Sequence, residues 1–131
     1  MDINTTKDRA IVAIESPFKG DVPRNKKYAR ACMRDCFMKN EIPFASHLLY
    51  TQRGILDDTR PTERKIGIAT AFELLEKIKP DKHVIYTDLG VSDGMVFGII
   101  EAKLNGRDVE YRELGCNWEA EQYKLIEKWG Y

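Results

Sequence analysis

No apolar run in the 131 residues approaches the roughly 18 that a bilayer-spanning helix requires, and Met1 to Arg9 carry no apolar core of a signal peptide. The expectation is a cytoplasmic protein without membrane contact. Cysteine is scarce: Cys32 and Cys36 stand four apart and Cys116 stands alone. That excludes a disulfide framework and offers no metal-ligand spacing, so no metal site is expected, and the paired cysteines read as small buried hydrophobes. Net charge is zero, from 21 basic and 21 acidic side chains, which gives no long-range attraction for a polyanion. A nucleic-acid partner is therefore not expected. Neither the three-glycine dinucleotide fingerprint nor a phosphate-cradling lysine loop occurs, and no cofactor is implied.

What is present is an alternation of short apolar runs and amphipathic stretches. Ala10–Ile14 has the β-branched continuity of a strand buried on both faces. The turn formers Glu15–Asp21 end it, and Pro23 suits the first turn of a helix reaching about Asn40, with Tyr28, Ala29, Ala31, Cys32, Cys36 and Phe37 as its apolar side. Residues 43–46 form a short second strand. His47–Arg60 has no regular period but holds Leu48, Leu49, Tyr50, Ile55 and Leu56, which predicts an ordered wall over a pocket or a subunit contact rather than a linker. A helix follows from Pro61 to Lys79, then a strand at 84–86. The Gly- and Asp-rich junction 88–94 leads into a helix from about Asp93 to Asn105, with Gly106 as its C-cap. Val109–Arg112 alternates as a last strand. Residues 117–129 read as a terminal amphipathic helix on Trp118, Tyr123, Leu125, Ile126 and Trp129.

This order predicts one α/β domain over 1–131, with a core at about 10–114. The fold class is a flavodoxin-like or Rossmann-like three-layer sandwich with a mainly parallel sheet of four or five strands and an extra C-terminal helix. Three loops then share the carboxyl edge of the sheet, where ligands bind in such folds. Their polar residues include Ser16, Lys19, Asp21, Asn25, His47, Arg53, Asp57, Asp58, Asp88, Ser92 and Asp93, with Phe18, Leu49, Tyr50 and Met95 as apolar wall. Such a mixture suits a small ligand of nucleoside type. His47 reads either as a general base or as a hydrogen-bonding loop residue, Asp57-Asp58 as a carboxylate pair or as turn and cap formers, and Asp88 as a ribose ligand or a turn stabiliser.

Several segments together resemble the nucleoside 2-deoxyribosyltransferase-like superfamily, in its small bacterial and phage branch. They are Ile14–Asp21 with Asn25 and Ala29, Pro43–Tyr50, Asp57, Glu63-Arg64 with Gly67, and Ser92–Met95. The resemblance covers about residues 10–114. It implies a flavodoxin-like, usually oligomeric protein that binds a nucleoside or nucleotide at this sheet edge and cleaves or exchanges its N-glycosidic bond. The attacking glutamate of such proteins lies four residues beyond the glycine, a position held here by Gly98. Glu101, three residues further, is turned by roughly 300° and advanced by about 4.5 Å; Asp88 and Asp93 are the other carboxylates nearby. Phe97 and Gly98 are expected to open a carbon-lined space beside the sugar. A glycine inside a helix costs about 0.8–1 kcal/mol relative to alanine, so packing or room for a ligand must compensate.

The expectation is thus a protein without a catalytic residue that retains or sequesters a nucleotide-type ligand, a cyclic or ADP-ribose-type immune signal in a phage setting. Its ligand contacts are Ser16, Phe18, Gly20, His47, Arg53, Asp88, Ser92, Gly94, Met95 and Gly98. The alternatives are an active N-glycosidase or deoxyribosyltransferase using Asp88, Asp93 or Glu101, and an oligomeric scaffold. A homo-oligomer is expected in any case; residues 48–56 and the Trp118/Trp129 helix are its interfaces in the scaffold reading, the alternative for the helix being to pack back on its own sheet.

Overall fold

The computed structural model describes residues 8–121. Four strands, β1 (Ile11–Glu15), β2 (Ile42–Phe44), β3 (Lys82–Tyr86) and β4 (Asp108–Arg112), alternate with α1 (Val22–Met38), α2 (Pro61–Ile78), α3 (Asp93–Leu104) and the short α4 (Trp118–Glu121). All strand pairs are parallel, in the order β2-β1-β3-β4. This is the α/β, flavodoxin-like arrangement expected from the alternation. The chain steps one way from β1 to β2 and then reverses across β1 to β3. Right-handed crossovers therefore place α1 on one face and α2 and α3 on the other.

The two cores follow strand parity. Val12, Ile14, Val84 and Tyr86 pack with Tyr28, Cys32 and Cys36 of α1 and with Trp118, whereas Ile85 packs with Met95 and Ile99 of α3 and with Val109. Both helical cysteines are fully buried. Asp21 caps α1 by accepting from Arg24 N, and Ser92 caps α3 by accepting from Met95 N, satisfying N–H groups that have no partner within the helix. Lys79 ends α2 in the left-handed conformation, at φ 51°. Of the eighteen residues of α2 only Leu75 is buried.

Several element boundaries differ from the sequence reading by one or two residues. β1 extends through Glu15 because β3 continues to pair with it, Glu15 lying beside Ile85. β2 starts at Ile42 and stops at Phe44, since Ser46–Leu48 turn into a single 3-10 turn. The terminal helix is described through Glu121, and Tyr123, Leu125, Ile126 and Trp129 lie outside the described residues. Trp118 is turned inward, 6% exposed and edge-on to Tyr28 at 5.1 Å. It is a core residue, packed back on its own chain in one cluster with Tyr28, Cys32 and Tyr86.

Candidate functional site

The β1–α1 loop is fixed from within. Asn25 Nδ2 donates to the carbonyls of Phe18 and Lys19 at 2.9 and 3.2 Å, and Gly20 turns the chain at φ 107°, a conformation that disfavours any side chain. His47 Nε2 donates to Ser16 O at 2.8 Å, since a carbonyl oxygen can only accept. Phe18 stacks on the same imidazole with centroids 5.4 Å apart and planes 23° apart. The loops after β1 and β2 are thereby joined into one aromatic step.

Above this step lies an open cleft of about 1020 Å³, lined by Phe18, Lys19, Gly20, Val22 and Lys26 on one side and by residues 51–61, Glu63 and Arg64 on the other. From the apolar, aperiodic stretch, residues 51–60 with Ile55 and Leu56 line it, whereas Leu48, Leu49 and Tyr50 do not. The acids of the cleft are committed. Asp57 accepts from the backbone and hydroxyl of Thr59, which holds its carboxyl below the usual aspartate range. Asp58 pairs with Arg64 at 2.8 Å, and Arg60 lies between Asp57 and Glu63. Lys19, Lys26 and Arg53 have no counter-ion among the described residues. The cleft therefore offers three uncompensated cations beside a flat ring.

The expected contacts separate into two groups. Phe18, Gly20 and Arg53 line the cleft, and His47 and Ser16 lie directly beneath it. Asp88, Ser92, Gly94, Met95 and Gly98 do not line it. Asp88 accepts from Tyr28 Oη and from the backbone N–H groups of Leu114 and Gly115, while Asp88 N donates back to Tyr28. Burial alone would raise its pKa, but these donors outweigh burial and hold the carboxyl below the usual range. Its oxygens tie the β3–α3 loop to the segment after β4. Met95 is turned into the core against Ile85 and Ile99. Ser92 is spent on the helix cap, and Gly94 is exposed with no crowding around it. Of the other carboxylates, Asp93 is exposed on the first turn of α3 and Glu101 accepts from Asn105 near the end of the same helix.

Gly98 and Phe97 do not open a common space. Consecutive helical residues point about 100° apart, and Phe97 faces outward against Phe72 while Gly98 is buried against β1. A Cβ at Gly98 would stand 2.6 Å from Cδ, Oε1 and Oε2 of Glu15. The room made by the glycine is filled by a carboxylate from the neighbouring strand. Glu15 accepts in turn from Nδ1 of His83 at 3.3 Å. His83 is fully buried, and neither its Nε2 nor the buried Ser16 Oγ has a hydrogen-bond partner among the described residues. Sequence reasoning missed Glu15 and His83, reading the first as the start of a loop and the second as the lead into a strand. Their common parity with Ala13 and Ile85, on the α3 side of the sheet, emerges only from the strand register.

Among the described residues no cluster of three or more potential metal ligands occurs, and no helix is long and apolar enough to cross a membrane. A family model described as a domain of unknown function, DUF7768, matches residues 10–112. No curated protein and no solved structure matches the chain.

Proposed function

The chain belongs to the DUF7768 family, and on that premise we propose, from the site itself, that it binds a phosphorylated nucleoside-type ligand in the cleft between the first two loops and retains it without turnover. The observation that carries this is the pairing of the Phe18–His47 stack with Lys19, Lys26 and Arg53, cations that no carboxylate among the described residues neutralises. A flat base rests on the ring while the phosphate meets the cations; arginine supplies a planar, permanently charged fork for phosphate oxygens. Retention is supported by the state of the acids, since Asp57, Asp58 and Glu63 already have partners and no free carboxylate lines the cleft. The resemblance to the nucleoside 2-deoxyribosyltransferase-like superfamily points to the same ligand class.

Calorimetric titration tests it with a nucleoside, its monophosphate, ADP-ribose, a cyclic dinucleotide and inorganic phosphate. The expected result is binding that requires both base and phosphate and weakens at least tenfold in Arg53→Ala, since the loss of one charged hydrogen bond, about 1.5–3 kcal/mol, is worth that much. Equal affinity for nucleoside and nucleotide, or no binding at all, would refute it. A sequestering role, including that of a phage protein holding an immune signal, follows if the bound compound is recovered unchanged.

A second reading has one observation in its favour. Glu15 brings a carboxylate to the place that a side chain at Gly98 would otherwise occupy. In an active N-glycosidase the Glu15 carboxylate bonds to the anomeric carbon as the C–N bond breaks, the base leaves with the bonding pair and takes a proton from solvent water, and a second water then breaks the Glu15–sugar ester, adding its oxygen to the sugar, restoring the carboxylate and losing a proton to solvent. Chromatography distinguishes the two readings: base release that disappears in Glu15→Gln supports turnover, and an unchanged nucleotide supports retention.

A further inference from the structure

The outer face of α3 has no partner within the described chain. Val96, Phe97, Ile100 and Leu104 are 43%, 65%, 53% and 78% exposed. Four large apolar side chains on a helix of twelve residues exceed what scattered surface hydrophobes explain. Phe97 touches Phe72 of the neighbouring α2 at 6.2 Å between ring centroids, and that helix leaves Ile66 and Ile68 about half exposed. Ile66 and Ile68 point about 200° apart round α2, so only Ile68, about 40° from Phe72, extends the stripe; the five side chains offer on the order of 400 Å² of apolar surface, within the range of the largest patches on monomers and about half of the roughly 800 Å² each partner contributes to a standard interface.

The ends of the stripe decide what covers it. Asp93 stands exposed at the first turn of α3 and Lys103 exposed at the last, and neither has an ion-pair partner among the described residues. The helix surface thus runs acidic, apolar, basic along its length. Such a pattern is complementary to itself when two copies lie antiparallel: Asp93 of each meets Lys103 of the other, and the opposed helix dipoles attract. A two-fold axis between Phe97 and Ile100 satisfies both ends at once, as an isologous contact requires.

We infer that the protein is a homodimer through an antiparallel α3–α3 contact, flanked by α2. This places the interface away from the expected sites, since Trp118 is buried in the core and residues 51–56 line the cleft. The dimer keeps both clefts open, because they lie between the first two loops rather than on the outer face of α3.

Sedimentation equilibrium of the full chain tests this. Wild type is expected at twice the 15.1 kDa chain mass, and Leu104→Glu at the chain mass, with an unchanged circular dichroism spectrum because Leu104 is 78% exposed and belongs to neither core. Asp93→Lys and Lys103→Asp each shift the equilibrium toward monomer, and the double swap D93K/K103D restores the dimer. A monomeric wild type, or a dimer that survives Leu104→Glu, overturns the inference. A double swap no better than the single changes overturns the antiparallel register.

Discussion

Replacing Gly98 by alanine is a stringent test of the carboxylate packed against it. Two opposed terms decide the sign. Alanine in a helix interior gains about 0.8–1 kcal/mol over glycine. Its Cβ also claims a point 2.6 Å from the Glu15 carboxyl group, so Glu15 must swing away and abandon His83. The obstacle is the far end of a flexible side chain, so relief comes by rotation rather than by moving backbone. A hydrogen bond to a charged group contributes about 1.5–3 kcal/mol; at 3.3 Å and with part of Glu15 reached by solvent, the lower end applies. Gly98→Ala alone is therefore expected to destabilise by about 0.5 kcal/mol. In a Glu15→Ala background the obstacle is gone, and the same change should stabilise by about 0.8–1 kcal/mol. The coupling between the two sites is then about 1.5 kcal/mol, within the range of residues in contact. Urea denaturation of the four proteins reads it, since with m of about 1–3 kcal/mol/M this is a midpoint difference of at least about 0.5 M. Equal stabilisation in both backgrounds would show that Glu15 does not occupy the space beside Gly98.

Other outcomes follow from the same contacts. Asp88→Ala should cost about 1.5–3 kcal/mol by freeing the Leu114 and Gly115 amides while leaving nucleotide affinity in the cleft unchanged; an affinity loss without a stability loss would assign Asp88 to the ligand instead. Glu41 is drawn below the ordinary glutamate value of 4.5 because, although burial acts to raise it, Arg112 and Lys82 outweigh burial. A lowered folded-state pKa contributes stability that is present above about pH 4.5 and lost as pH falls through the lowered value. Urea midpoints should accordingly fall below that pH, and Arg112→Gln should flatten this acid limb while costing about 1.5–3 kcal/mol at neutral pH, because the buried Glu41 loses its bidentate arginine and keeps only Lys82; an unchanged limb would refute the assignment. Trp118→Ala should cost about 3–5 kcal/mol in thermal or urea unfolding, whereas a surface tryptophan would cost almost nothing.

The fold was legible because each buried strand and each amphipathic helix carries its own period. Ile11 to Ile14 and Val84 to Tyr86 read as strands without any partner in view, and the apolar spacing of Tyr28, Cys32 and Cys36 marks the buried side of α1. The stretch 47–60 stood out for the opposite reason, being too apolar for a linker and too irregular for a helix, but which of its residues face the cleft was not readable: Ile55 and Leu56 line it and Leu48, Leu49 and Tyr50 do not. What could not be read were pairings between distant residues. Glu15 looks like a turn former until β3 extends the strand past it, and Gly98 looks like a vacancy until Glu15 is seen to fill it. Asp88 likewise presents as an available carboxylate, because nothing local announces that Leu114 and Gly115 return to it. Residues with only local duties are visible in sequence; those whose partners arrive from another loop are not.

The shortness of β2 has a consequence for how copies of the chain can meet. Ile42 N donates inward to Ala10 O, so by the alternation of a strand the backbone nitrogen of the next residue faces outward. That residue is Pro43, which has no hydrogen to donate. The exposed side of this border strand thus presents no amide donor between Ile42 and Phe44, and a foreign strand finds acceptors but nothing to complete a ladder. Sheet extension, the usual route to fibrous aggregation, is closed at this border by a single imino acid.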